Sequence, residues 1–556
     1  MRGRDLLFPM AVAGAGLAAY ANSLAGVFVF DDLSAIVDNA RLRRLWPPQQ
    51  VIGASFRPLL VYTLALNHAV GGLDPWSYHV VNAAVHLLAG MVLYGLVRRT
   101  LELDALRPRW GGHSRWLALG VAGVWVVHPL HTQSVTYVIQ RGESLAGLFY
   151  LTTLYSVARG ASGRRSGAWY WVAAVANLCG LATKEIAVTV PLAVLLYDGL
   201  LLSRSFRGAL RRRGGLYLGL ATPGVAAAGW LLVQHPEVLH GDASTTPALR
   251  YALTQAGVVV RYLRLCVWPH PLCLDHRWPL VTGWGDAVGP LAGVSALLLL
   301  AVWLTWRRQP LGFPLAFFFL VVAPTSSFVP LLDPLTEHRL YLPLAAVVAL
   351  AVLGAWSALQ ALSLPVAARR VLAAGLLCSA VLVLGQRTVA RNVLYHRGTA
   401  LWRDVLAQYP HNPRAHNNLA VHLVEEGDLA LAAFHWALAL RLAPGYAEAL
   451  NNIGGFWVLQ GQFEQAVASF EKALLVRPGY AEAHEGLGQA LAALGRLNEA
   501  AAHFEEAGRL LPGYARAAFD LGVVRVRQGR LEEARACFAE AVRWDPSLHA
   551  AGQPAR

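Results

Sequence analysis

Lysine is almost missing from this chain: Lys184 and Lys472 are the only two, against 45 arginines. Charge of either sign is scarce too, at 14% of residues, well under the roughly 25% of ordinary soluble domains. Five scattered cysteines exclude a disulfide framework; Cys266 and Cys273 share one loop and form the one candidate bridge. No Walker loop and no dinucleotide glycine fingerprint occurs, which removes a nucleotide-binding domain. What fills the chain is apolar, 56% of 556 residues, more than a soluble core can use. The formal charge of +14 would suggest nucleic acid in a soluble protein. Its distribution argues otherwise: residues 1–410 carry an excess of 17 positive charges, whereas residues 411–546 carry an excess of four negative ones. The basic surplus sits in the apolar half, where loops follow the positive-inside rule. No nucleic-acid partner is expected; the lipid bilayer is.

Hydropathy predicts about eleven spans, near 6–26, 77–97, 116–131, 143–158, 168–183, 186–203, 215–233, 286–306, 312–331, 340–362 and 371–386. The apolar run after Arg2 and Arg4 is longer than a signal-peptide core, so it reads as a retained anchor. With the N-terminus cytoplasmic, alternate loops are short and purely basic, for example Arg159/Arg164/Arg165 and Arg369/Arg370. An odd span count then places everything after residue 386 outside the cytoplasm. The opposite loops differ. They hold Asp31-Asp32, His128 and His131, Arg141 and Glu143, Lys184-Glu185, Asp275-His276-Arg277, and Glu337-His338-Arg339. Ionisable groups at a membrane boundary are costly and mark function by default. All of these share one face under a topology fixed by other residues.

Beyond residue 410 the pattern changes to a repeat. Pro410, Pro444, Pro478, Pro512 and Pro546 recur every 34 residues, as do Gly427, Gly461, Gly495 and Gly529. Ala432, Ala466, Ala500 and Ala534 follow in register, with Trp436, Phe470, Phe504 and Phe538 four residues on. This period and these residue types specify tetratricopeptide (TPR) repeats, paired helices stacked as a solenoid. The expected architecture is all-α: a polytopic membrane domain over 1–386, a linker and capping helix over 387–410, four repeats over 411–546, and a tail over 547–556. Asn418 and Asn452 lie one period apart in Asn-Asn-Leu/Ile, where amides can both donate to and accept from an extended peptide. They are the expected acceptor contacts.

The boundary residues suggest group transfer. A carboxylate can take the acceptor proton as a bond forms, and Asp31 and Asp32 are the candidates. An acidic pair can also be a solvated loop. A leaving phosphate needs fixed cations or strong donors; Arg57, Arg141, Lys184, Arg277 and Arg339 qualify by side. Zinc would need three or four ligands with local spacing. Nothing completes such a set around His128 and His131, so no metal is expected and hydrogen bonds to phosphate or sugar are. Trp46, Trp76, Trp268 and Trp278 read as an interfacial aromatic belt.

The stretches Phe30-Asp31-Asp32, Phe56-Arg57-Pro58-Leu59 and Tyr78-His79-Val80-Val81-Asn82 occur here in order, followed by His128-Pro129-Leu130-His131 and Arg141-Gly142-Glu143. Thr183-Lys184-Glu185 and Glu337-His338-Arg339-Leu340-Tyr341 complete the series. Together they resemble the transmembrane-and-TPR protein O-mannosyltransferases within the C-type multispanning glycosyltransferases, over nearly the whole chain. The resemblance implies a polyprenyl-phosphate mannose donor, Ser/Thr hydroxyls as acceptors, and inversion at the sugar. The lipid-linked sugar is then a substrate and no cofactor is expected. Asp31 or Asp32 would be the base; Arg57, Lys184 and Arg339 would face the donor phosphate. His128, His131, Arg141, Glu143, Glu185, Glu337 and His338 complete the expected donor site, and the repeats would hold the protein acceptor. A glycan or lipid acceptor, or a non-enzymatic scaffold, are the competing readings. The Lys-poor, Arg- and Ala-rich composition points to a GC-rich genome and a bacterial inner membrane, or a luminal arrangement in a eukaryote.

Overall fold

The computed structural model describes residues 6–53, 55–162, 165–234 and 247–549. Arg2, Arg4, Arg164 and the tail beyond residue 549 lie outside them. Helices make up the architecture, and no strand occurs among the described residues. The chain divides into two compact units, Met1–Asp32 with Ile52–Arg397, and Leu33–Val51 with Gly398–Arg556. Their borders do not follow chain order. Residues 33–51, which hydropathy leaves inside the membrane half, group with the repeats.

In the first unit, six helices are long and apolar enough to cross a membrane: Leu7–Ala25, Pro75–Leu101, Glu185–Leu202, Trp284–Trp306, Pro343–Ala361 and Val366–His396. Other expected spans fall on shorter helices, such as Gly312–Val322, or on helices with ionisable first turns. The centre is built by α1 (Leu7–Tyr20), α2 (Pro58–Gly71), α3 (Pro75–Leu101), α4 (Ser114–Val126) and α5 (Arg141–Ser162). α1 packs on α3 and α4, and α3 on α5. Close approach relies on a small residue: a Cβ on Gly16 would sit 2.4 Å from Leu87 Cδ2, a device typical of membrane helix pairs. Cys266 and Cys273 are not joined in a disulfide, so the candidate bridge does not form.

In the second unit, Gly398–Gln408 precedes four helix pairs. They are Pro413–Glu425 with Leu429–Leu442, Ala447–Leu459 with Phe463–Val476, Ala481–Ala493 with Leu497–Leu510, and Ala515–Arg527 with Leu531–Trp544. The periodic glycines have one cause. Gly427, Gly461, Gly495 and Gly529 adopt φ of 84°, 70°, 78° and 77°, a left-handed turn that a Cβ disfavours. The periodic aromatics bury against glycine: a Cβ on Gly454 would lie 2.7 Å from the Phe470 ring, and one on Gly486 2.4 Å from it. Alanine ordinarily favours a helix over glycine by about 1 kcal/mol, but here that gain meets a rigid ring. Gly486→Ala should therefore destabilise the stack by about 1–3 kcal/mol, the usual cost of overpacking, visible as faster amide exchange across Phe463–Ala493. Exchange at or below wild-type rates would show that the ring can yield.

Candidate active site

The acid pair leaves the two carboxylates in opposite environments. Phe30 precedes them at φ 52°, a strained conformation for a residue with a Cβ, which turns the chain so that Asp31 faces outward and Asp32 inward. Asp31 is exposed, and its backbone N–H donates to the Tyr137 hydroxyl at 3.0 Å. Asp32 is fully buried. Its Oδ1 accepts the Ile139 N–H at 2.7 Å and its Oδ2 the Val29 N–H at 3.1 Å. Burial pushes the Asp32 carboxyl up to about 8, although the backbone donors of Val29, Ile139 and Val138 pull the other way and the charge of Asp31 adds to the rise. Burial, then the charges of Asp31 and Asp32, raise the Tyr137 phenol well above its usual value, so it remains a hydroxyl.

Tyr137 and Ile139 belong to a segment, residues 128–143, that is buried along most of its length. Asn82 of α3 clamps it from behind, donating to the carbonyls of Val135 and Val138 at 3.1 and 3.2 Å. The Asn82 Oδ1 accepts from Arg141 Nε at 2.6 Å. Arg141 also donates to Asn67 Oδ1 at 2.7 Å and to the carbonyls of Thr63 and Tyr78 at 3.2 Å. Its guanidinium thus binds α2 to α3 in the interior. Gln133, from the same segment, accepts the His338 N–H at 2.8 Å and donates to the Leu274 carbonyl at 3.1 Å.

Four residues after Ile139, Glu143 opens onto the cations. Lys184 Nζ lies 2.8 Å from Glu143 Oε1, with the two side chains only 8% and 4% exposed. His338 Nε2 stands 3.9 Å from the same oxygen and 3.2 Å from Thr336 Oγ1. Its Nδ1 is buried with no protein partner. Burial first, then the charges of Lys184, Arg339 and Arg57, hold the His338 imidazole well below its usual value, which keeps it neutral inside a ring of cations. Arg57 pairs with Glu185 at 3.0 Å on the more exposed side, and the Leu59 N–H donates to the Ala182 carbonyl at 2.8 Å, fastening that strand of chain to the Lys184 turn. Arg339 donates to the carbonyls of Asp333 and Pro334 at 3.0 Å.

The structure therefore brings Glu143, Lys184 and His338 together, with Arg57, Glu185 and Arg339 around them. Three other predicted site residues lie in the interior. His128 caps a short turn through the Leu130 N–H at 3.3 Å. His131 packs against Trp125 and Tyr341, with ring centroids 4.4 and 4.7 Å away. Glu337 is buried and accepts from the Cys273 N–H at 2.6 Å, beside His276 Nε2 at 2.8 Å. In the second unit, Asn452 Nδ2 donates to Asn417 Oδ1 at 3.0 Å, and Asn418 Oδ1 accepts from Asn417 Nδ2 at 3.1 Å. Tyr137, Gln133 and Asn67 are missing from the predicted set. The polar run Thr132-Gln133-Ser134 beside His131 was the signal for Gln133; nothing in the sequence marks the other two.

The tetratricopeptide repeat family models match residues 391–447 and 460–515, and a second model 491–553. Protein O-mannosyl-transferase TMTC1 of Homo sapiens is 27% identical over 501 residues, covering 78% of this chain and 55% of that protein. Over most of its length, the chain is similar to proteins named protein O-mannosyl-transferase. TMTC4 of Mus musculus is 26% identical over 499 residues, covering 76% of this chain and 65% of that protein, and TMTC2 of Mus musculus is 33% identical over 203 residues, covering 33% and 23%. The chain spans little more than half the length of TMTC1. Among solved structures, that of MamA aligns over 27% of this chain and 88% of that chain, at 21% identity and a TM-score of 0.25.

Asp32→Asn tests the buried acid. Both Asp32 oxygens accept backbone N–H groups, and an amide nitrogen cannot accept, so one donor is orphaned. The expected cost is about 1–3 kcal/mol, read as a lower thermal midpoint. The pH profile should change as well. A carboxyl raised from 3.8 to about 8 stabilises the fold fully below 3.8, and that contribution is lost as pH rises through about 8. The decline in midpoint between pH 3.8 and about 8 should shrink in Asp32→Asn; an unchanged decline would assign it to another group.

Proposed function

We propose that this protein is a membrane glycosyltransferase that moves a sugar, mannose by resemblance, from a polyprenyl phosphate to Ser or Thr hydroxyls of proteins on the non-cytoplasmic side. The observation that carries this reading is the exposed carboxylate of Asp31, held on the same buried segment whose far end, at Glu143, fixes Lys184. Similarity to proteins named for O-mannosyl transfer, with TPR repeats following in the same order, supports the substrate class.

In this reading Asp31 is the base and Asp32 positions it. The Asp31 carboxylate takes the proton of the acceptor hydroxyl as its oxygen bonds to the anomeric carbon. The bond between that carbon and the phosphate oxygen breaks, and the electron pair leaves on the lipid phosphate. A single displacement of this kind inverts the anomeric centre. Lys184, Arg57 and Arg339 stabilise the phosphate charge that grows as the bond breaks. The neutral His338, with its unpartnered Nδ1, adds a hydrogen bond to phosphate or sugar. The extracytoplasmic repeats then receive the acceptor protein.

Asp31→Asn keeps size and removes the base, so transfer should fall by about 10²–10⁴-fold while the thermal midpoint stays within experimental error. The assay is mass spectrometry of a Ser/Thr peptide incubated with purified protein and polyprenyl-phosphate mannose. Full hexose incorporation by Asp31→Asn would remove Asp31 from the role.

A further inference from the structure

The second unit contains a groove of about 960 Å³ with two walls of different origin. One wall comes from the first helices of the repeats, including Asn451, Asn452 and Glu485. The other comes from residues 34–43, which follow the acid pair directly in the chain. Residues 33–51 have little structure of their own to hold them: a π turn at Leu33–Val37, a 3₁₀ turn at Ala40–Arg43 and a short helix at Pro48–Ile52. Ile36, Leu42 and Val51 are buried, and the end of the last repeat supplies polar anchors. Arg43 pairs with the buried carboxylate of Asp545 and donates to Ser547 Oγ at 3.0 Å, and Arg44 donates to the Val542 carbonyl at 3.0 Å. Asp545 sits at the end of the last helix, where its own carboxyl is held low, chiefly by Ser547 and Arg43 against the effect of burial.

We propose that residues 33–51 are the second wall of the acceptor groove, clasped there by Arg43 on Asp545, and that an extended polypeptide lies between this wall and the first helices of the second and third repeats. The claim rests on the reading that the repeats receive a protein acceptor. Its chemistry comes from the groove. Asn451 Oδ1 is buried there without a protein partner, and a buried acceptor atom is costly until a donor reaches it. A backbone N–H is such a donor. Phe456, Leu459 and Trp544 line the same space and offer apolar contact to alternate side chains of an extended chain. Asn451 Nδ2 donates to Asn452 Oδ1 at 3.5 Å, which leaves its Oδ1 for the acceptor. Asn418 Nδ2 is also buried without a partner, but Asn451 lines the groove and Asn418 does not, so Asn451 is the leading contact. Arg43 is a positioning residue in this account: it touches the wall's anchor and not the acceptor.

Hydrogen exchange on the full chain in nanodiscs tests this, with a reduced and alkylated Ser/Thr-rich polypeptide as the probe. In the wild type, the probe should slow exchange both in 33–51 and in Ala447–Leu459. Asp545→Ala should release 33–51 in the absence of probe and weaken probe binding about tenfold. The exchanged pair, Arg43→Asp with Asp545→Arg, should restore both. Restoration is the outcome that a merely misfolded variant cannot give. Probe protection confined to the repeats, or wild-type binding by Asp545→Ala with 33–51 released, would overturn the second wall. Protection of both segments by a protein that transfers no sugar would keep the groove and remove the transferase reading instead.

Discussion

A carboxylate and an ammonium that are both nearly sealed from water have to neutralise each other, and Glu143 and Lys184 do so at 2.8 Å. Taking two such ions out of solvent costs several kcal/mol each, which their attraction only roughly offsets. The pair is therefore a poor source of stability and a strong fixer of position. Either partner alone would be an uncompensated buried charge. The neighbouring groups inherit that geometry: His338 stands by the same Glu143 oxygen, and Arg57 reaches the cluster through the residue after Lys184. In a chain with two lysines, one is used where a compact ammonium fits a closed space.

The constraint propagates because the segment before Glu143 has nowhere to relax. Asn82 holds its carbonyls, Arg141 ties Asn82 to α2, and the Ile139 N–H holds Asp32. Most of the polar atoms in this region have fixed partners, as buried polar networks require. Asp31 is exposed, and His338 Nδ1 and both ring nitrogens of His131 are buried without a hydrogen-bond partner in the protein.

Much of this was legible in the sequence because periodicity and charge patterns survive without coordinates. The 34-residue period located every repeat helix pair, and its glycines proved to be left-handed turns. The boundary clusters put Lys184, Glu143 and His338 on one face, and the structure brings the three side chains together. What stayed hidden depends on the direction of side chains. Asp31 and Asp32 are equivalent on paper, yet after the positive-φ turn at Phe30 one carboxylate is exposed and the other buried. Arg141 and Glu337 look like ligand contacts because ionisable groups near spans are costly, yet the interior engages them with Asn67 and His276, and His131 packs its ring on Trp125. The grouping of 33–51 with the repeats had no sequence signal, since a loop's partner far along the chain leaves no local period.

Donor binding measured separately from chemistry tests the central claim most directly. With Asp31→Asn as a background that blocks transfer, a photoactivatable polyprenyl-phosphate sugar should still bind and cross-link near Lys184 and His338. Adding Lys184→Ala should abolish saturable binding, and Lys184→Gln with Glu143→Gln, which removes both buried charges, should recover the fold without recovering binding. Undiminished donor binding in Asp31→Asn with Lys184→Ala, or cross-links away from this cluster, would contradict the account.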